Sequence, residues 1–316
     1  TALILGGGPR ATTVELAIYQ AIRFDFDLGR AALLSLIQLV ITACAALIAL
    51  RFVNMAGVGA ALDRPVRRWD ADAWALRVLD GLAIVAATAF LAVPMAMVVA
   101  RGLPAVLDLP GVVWASVLTS LGIAAGSTIL VVLAALVIGL AAVRLRQRGR
   151  YLEIAGLLAV AASPLVIGTG LFLLIFPFSD PTRLALPVTA LVNAIVTLPF
   201  AVRALIPALR NVEADYGRLA DTLDRTGWAR LRLVALPRIR RPLGFAAGLA
   251  AALSIGDLGV IALFADHDMA TLPLQIYRLM GSYRMEEAGG ATVLLLAMTF
   301  AVFYLFDRGL GRNADV

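Results

Sequence analysis

Lysine is absent from this chain: all 27 of its basic residues are arginine. It has one cysteine, Cys44, and one histidine, His267. A single thiol excludes an internal disulfide and a cysteine metal site, and a single imidazole excludes a histidine cluster. Cys44 reads as a small apolar filler within a helix and His267 as a polar loop residue. Without lysine the triple glycine at 6–8 cannot be the Gly-Lys-Ser/Thr type of phosphate loop. Charge is scarce as well. Charged residues make up 15% of the chain and hydrophobic ones 61%, with a mean hydropathy of +0.93. Soluble globular domains are about a quarter charged, so the composition excludes that class and points to lipid as the solvent.

Six stretches carry no charge at all: 31–50, 81–100, 109–143, 154–179, 184–202 and 288–306. A seventh, 242–265, contains one acid, Asp257. Each approaches or exceeds the roughly 20 residues a helix needs to cross the hydrocarbon. Inside lipid each must be helical, because no water satisfies exposed backbone groups. The expected fold is therefore an all-α integral membrane protein with seven transmembrane helices. Alternate loops 51–77, 144–150, 203–241 and the tail from 308 hold twenty arginines, and the other side holds seven. Arginine-rich loops stay cytoplasmic, which places the start of the chain outside and its C-terminus inside. Trp69, Trp74 and Trp114 precede the second and third spans, where interfacial rings sit. With the arginine excess explained by topology, the net charge of +6 carries no expectation of nucleic acid.

"ATTVELAIYQ" at 11–20 returns as "ATLPLQIYR" at 270–278, pairing Thr13 with Thr271, Leu16 with Leu274, Ile18 with Ile276 and Tyr19 with Tyr277. Both copies precede a long apolar run. The first thirty residues read as an external loop, neither signal peptide nor span. The chain is accordingly divided into 1–51, the end of a first repeat with its last helix; 52–77, a polar cytoplasmic linker; and 78–316, a complete second repeat. Two repeats of the same orientation would be parallel, as in the halves of some transporters. On this reading the chain is the C-terminal part of a twelve-span protein.

The segment 203–241 holds nine arginines mixed with acids and with Leu219, Leu223, Trp228, Leu231, Leu233 and Leu236. It is too polar for the membrane and too apolar for a free linker. Leu219 and Leu223 share a helix face, and Gly227 can end that helix. The expectation is a short surface helix, docked either on a cytosolic partner or on its own protein and lipid headgroups. Asp257, in "LSIGDLGV", is the one acid within a span. A carboxylate there costs on the order of 3 kcal/mol, so it needs a partner, a cavity or a use. It either lines a pathway or caps a helix break opened by Gly256 and Gly259. Ser163, Thr169, Asn193, Thr197 and Ser254 are further polar span residues, suited to interhelical hydrogen bonds.

The segment resembles the cytoplasmic signature of binding-protein-dependent ABC importer permeases, Glu-Ala-Ala-x3-Gly-x9-Ile-x-Leu-Pro. Counting back from Leu236 and Pro237, Val234 takes the Ile place, Asp224 the Gly place and Ala220 the second Ala place, while Arg218 and Leu219 stand for Glu and Ala. Glu213-Ala214-Asp215 lies too far upstream to be in register. The stretches "GGGPRATTVELAIYQAIRFDFDLGRAALLSLIQL" and "LSIGDLGVIALFADHDMATLPLQIYRLMGSYR" are similar to the permeases of bacterial thiamine and thiamine pyrophosphate importers. Iron(III) importer permeases are the nearest alternative. The resemblance implies a type I ABC importer permease (MetI-like) fold in the bacterial inner membrane. It also implies two copies of a cytoplasmic ATPase subunit, which bind the ATP and Mg, and a periplasmic thiamine-binding protein. No cofactor is expected on this chain. Carried over, the coupling helix lies at about Arg218 to Trp228, through Leu223 and Gly227, and Leu236 and Pro237 close the loop. Asp257, with Ser254, Asn193 and Thr197, is the candidate pathway for the thiazolium cation. An ion-coupled transporter would call for several buried acids or histidines, and a membrane enzyme for a catalytic constellation; one histidine supplies neither.

Overall fold

The computed structural model describes residues 12–52, 73–145, 149, 152–153, 156, 163–264 and 269–311. The expectations that fall on Gly6–Gly8, Trp69, most of the linker and His267 lie outside these residues. Every regular element among the described residues is helical. In chain order they are α1 (Val14–Arg23), α2 (Leu28–Phe52), α3 (Trp74–Gly102), α4 (Gly111–Arg144), α5 (Pro164–Ile175), α6 (Ala185–Thr222), α7 (Arg240–Ile255), α8 (Gly259–Phe264), α9 (Leu272–Gly281) and α10 (Met285–Gly311). A 3-10 turn, Leu103–Val106, extends α3, and three short helical segments, Gly227–Arg230, Leu231–Ala235 and Leu236–Arg238, lead from α6 back to α7.

Six helical stretches among the described residues are long and apolar enough to cross a membrane, with α7 and α8 together forming one of them. The chain is thus an all-α, multi-pass membrane protein. The expected span at 154–179 is described only in part, as α5, which has 12 residues. Large apolar side chains such as Leu82, Ile84, Phe90 and Leu91 project outward from α3. Such a surface suits acyl chains rather than water.

Small residues let the helices approach. Gly139 of α4 sits against Leu209 and Ile206 of α6, and Gly126 against Ala190, so α4 and α6 run side by side in the same direction. Gly248 of α7 abuts the backbone of Phe303 in α10. At Gly102 the approach to Gly289 of α10 is so close that a Cβ would stand 2.3 Å from its carbonyl oxygen. In lipid, association depends on such packing, since the tails are as apolar as the helices. Two core clusters sit toward one end of the bundle and a third, with Leu205, Ile206, Leu209 and Ile239, toward the end where α6 finishes.

Two expectations are corrected. Residues 14–23 are not loop: α1 is amphipathic, with Leu16, Ile18, Tyr19, Ala21 and Ile22 buried. Its apolar face packs against α5 and α8 in one cluster, which compensates for the ordering of a segment too short to be a stable helix alone. The repeated phrase is also structural. α1 and α9 are both ten residues long, both follow a threonine N-cap, and both stop short of a long apolar helix. Just beyond each stands a non-glycine residue of positive φ, Phe26 at 51° and Tyr283 at 61°.

The second correction concerns the short surface helix. α6 runs unbroken for 38 residues, Ala185–Thr222, despite Pro199 and Pro207 within it. At 1.5 Å per residue that is about 57 Å, so Arg218, Leu219 and Ala220 ride on the end of the membrane helix itself. The extension is rich in alanine, leucine and arginine, good helix formers, and nothing before Leu223 stops it. Gly227 opens the next segment rather than closing this one.

Candidate functional site

The helix ends at Leu223 in a Schellman arrangement: the Arg225 N–H donates to Ala220 O at 2.8 Å and the Asp224 N–H to Asp221 O at 3.1 Å. This motif requires a left-handed residue just past the cap. That residue is Asp224, at φ 50°. The position where the permease signature carries glycine is therefore the one whose backbone favours glycine, and aspartate is among the few side chains that tolerate it. Asp224→Gly is expected to stabilise the turn by about 1 kcal/mol, and Asp224→Val to cost at least that much. Thermal unfolding of the purified protein checks both.

Beyond the turn the chain folds back on α6. Arg230 donates from Nη1 to Asp221 Oδ1 at 2.6 Å and from Nη2 to Glu213 Oε1 at 2.7 Å, with a longer bond of 3.4 Å to Gly217 O. Its three acceptors stand four residues apart on one face of α6. Burial works against the Arg230 charge, but the Asp221 and Glu213 carboxylates outweigh it and hold its pKa above the ordinary arginine value. The Arg238 guanidinium lies 3.7 Å from the centre of the Tyr216 ring. Behind this elbow is a cavity of about 270 Å³ between the ends of α4 and α6 and the returning chain.

Leu219, Leu223, Trp228 and Leu233 remain outside, with Trp228 69% and Leu223 61% exposed. Arg218 is exposed, Ala220 is buried, and Val234, Leu236 and Pro237 are partly buried where that limb rejoins the bundle. The elbow thus presents an apolar ridge flanked by charge, at the end of a helix that continues a membrane span.

Deeper in the bundle, Asn193 Nδ2 donates to Ser254 Oγ at 2.9 Å, linking α6 to α7. Thr197 donates to Asn193 O at 2.7 Å, within its own helix. All three are buried. Thr169 is buried too, and its hydroxyl lacks a partner among the described residues. Asp257 stands in the break between α7 and α8. Its Oδ1 accepts from the Gly259 N–H at 3.4 Å, as an N-cap does. Its Oδ2 is buried and has no hydrogen-bond partner among the described residues. The cap is real, and it engages only half of the carboxylate.

Residue patterns missed two other groups. Glu15 of α1 accepts from Ser163 Oγ at 2.5 Å, just ahead of α5, and from Gln38 of α2 at 3.3 Å. Nothing in its local sequence signals a partner so far along the chain. Glu213 lies outside the signature register, yet it holds Arg230; the Glu213, Gly217 and Asp221 spacing was the available sign.

No family model matches the chain. It is 38% identical, over 99% of its length, to the thiamine transport system permease protein ThiP of Salmonella typhimurium. The protein of the same name in Escherichia coli is 37% identical over 99% of the chain, and that of Brucella abortus 38% over 100%. The chain spans 59–60% of the length of these relatives.

Proposed function

From a chain homologous over 99% of its length to thiamine transport system permeases, we propose that it forms part of the transmembrane subunit of an ATP-driven importer. The subunit carries thiamine and its phosphorylated form from periplasm to cytoplasm across the bacterial inner membrane by alternating access. The observation that carries the coupling is the exposed Leu219, Leu223 and Trp228 ridge at the tip of a helix that continues from the membrane. An apolar ridge with charged flanks fits a groove on a separate cytoplasmic ATPase, where a helix docks by its i and i+4 side chains. Two ATPase copies pair with two elbows if the protein is duplicated. The ten-residue helices α1 and α9, each before a long apolar helix, support that duplication. A periplasmic thiamine-binding protein delivers the substrate to the opposite face.

In this orientation the arginine-rich loops are cytoplasmic and the start of the chain is periplasmic. ATP and Mg belong to the ATPase. Asp257, whose N–H donates to Ser254 O, offers the carboxylate oxygen that has no partner among the described residues to the thiazolium cation, on a path with Asn193, Ser254 and Thr197.

The test is uptake of radiolabelled thiamine by cells lacking the gene that encodes this chain, complemented with that gene. Uptake should return with the gene and stop on removal of the ATPase or depletion of ATP. Uptake that continues without the ATPase rules the reading out.

A further inference from the structure

We propose that Arg230 is a positioning residue: it locks the return limb to α6, so that a load on the exposed ridge moves α6 and α7 as one body. This rests on the reading of the chain as an ATP-driven permease. Three features carry it. Arg230 reaches Glu213, Gly217 and Asp221 over two turns of α6, a forked geometry that guanidinium makes and ammonium does not. Its side chain is only 17% exposed, although both carboxylates face solvent. The elbow is held here across a hollow: Leu140, Val143, Leu209, Val212, Leu231 and Val234 line the cavity rather than fill it.

Without Arg230, the near part of the limb would hang from two left-handed residues, Asp224 and Gly227, while its far part stays anchored by Ala235 and Ile239 in the core and by the Arg238–Tyr216 contact. Ion pairs whose carboxylates stay in water add little stability. The use of this one is therefore geometric. With the limb loose, a load taken by Leu219 and Leu223 at the end of α6 would not pass through the limb to α7, so the motor would run without moving the two helices together.

Two measurements on Arg230→Leu and Arg230→Lys test this. In the purified detergent-solubilised protein, tryptic cleavage after Arg225 should rise about tenfold for Leu and less for Lys, because cleavage follows the population of the opened limb. In proteoliposomes with the ATPase and solute-binding proteins, ATP hydrolysed per thiamine delivered should rise about fivefold or more for Leu, with the ATPase still co-purifying. Lys, reaching one carboxylate, should fall between. An unchanged ratio in Arg230→Leu overturns the proposal, as does unchanged cleavage. Should Arg230→Leu not accumulate, Arg230→Lys carries the same comparison. If the wild-type proteoliposomes take up no thiamine, the transport reading fails before any variant is made, and cleavage alone then decides whether the clamp exists.

Discussion

Alanine at both Leu223 and Trp228 is expected to lower thiamine uptake about a hundredfold or more, while the protein reaches the membrane in normal amounts. Both side chains are largely exposed, and exposed substitutions usually shift stability by about 0.5 kcal/mol or less. At an interface the balance reverses. A central tryptophan anchor costs about 2 kcal/mol or more when truncated, a leucine packed beside it adds about 1–2 kcal/mol of lost apolar burial, and each 1.4 kcal/mol is a factor of about ten. Uptake, membrane quantity and co-purification of the ATPase separate the possibilities. Normal uptake would mean that the ridge docks on nothing essential.

The second large effect concerns Asp257. Asparagine there keeps an oxygen for the Gly259 N–H, so the helix break survives, but the charge is gone. Uptake of the cation should fall about tenfold with protein amount unchanged, the loss expected when about 1.4 kcal/mol of attraction is removed from the path. Leucine should do worse, because the lost cap also costs about 1 kcal/mol of stability. Wild-type uptake with asparagine would leave Asp257 a cap and nothing more.

Hydropathy made the long helices legible, because twenty uncharged residues have few other fates. α1 escaped for the opposite reason: ten residues with mixed polarity look like loop until a partner for Leu16, Ile18 and Tyr19 exists, and those partners lie in α5, α8 and the neighbouring helices. The turn at Asp224 was half visible. Alignment with the permease signature put aspartate in a glycine place, and only the backbone shows that the place demands positive φ. Gly227 misled, since a glycine after leucines reads as a helix end, whereas the helix had already closed at Thr222. Arg230 was one of nine arginines in its loop, and composition cannot rank them. Its role depends on which arginine faces the Glu213 side of α6, a matter of how the chain folds back. The candidate pathway residues stand out as polar exceptions in apolar spans, but the structure divides them: Asn193 donates to Ser254, while Asp257 keeps an oxygen without a partner among the described residues.

Among the described residues, Gly102 is the one fully buried residue of α3, with Asp80, Val98 and Val99 half-buried, and the helix packs on α10 and the 3-10 turn. Its 29 residues make about 44 Å of helix, more than the bilayer's hydrocarbon thickness. Where little protein holds it upright among the described residues, the lipid is expected to set its inclination. In membranes built from longer acyl chains it should stand steeper, pivoting about the glycine contact, and polarised infrared spectra of oriented films would record the change.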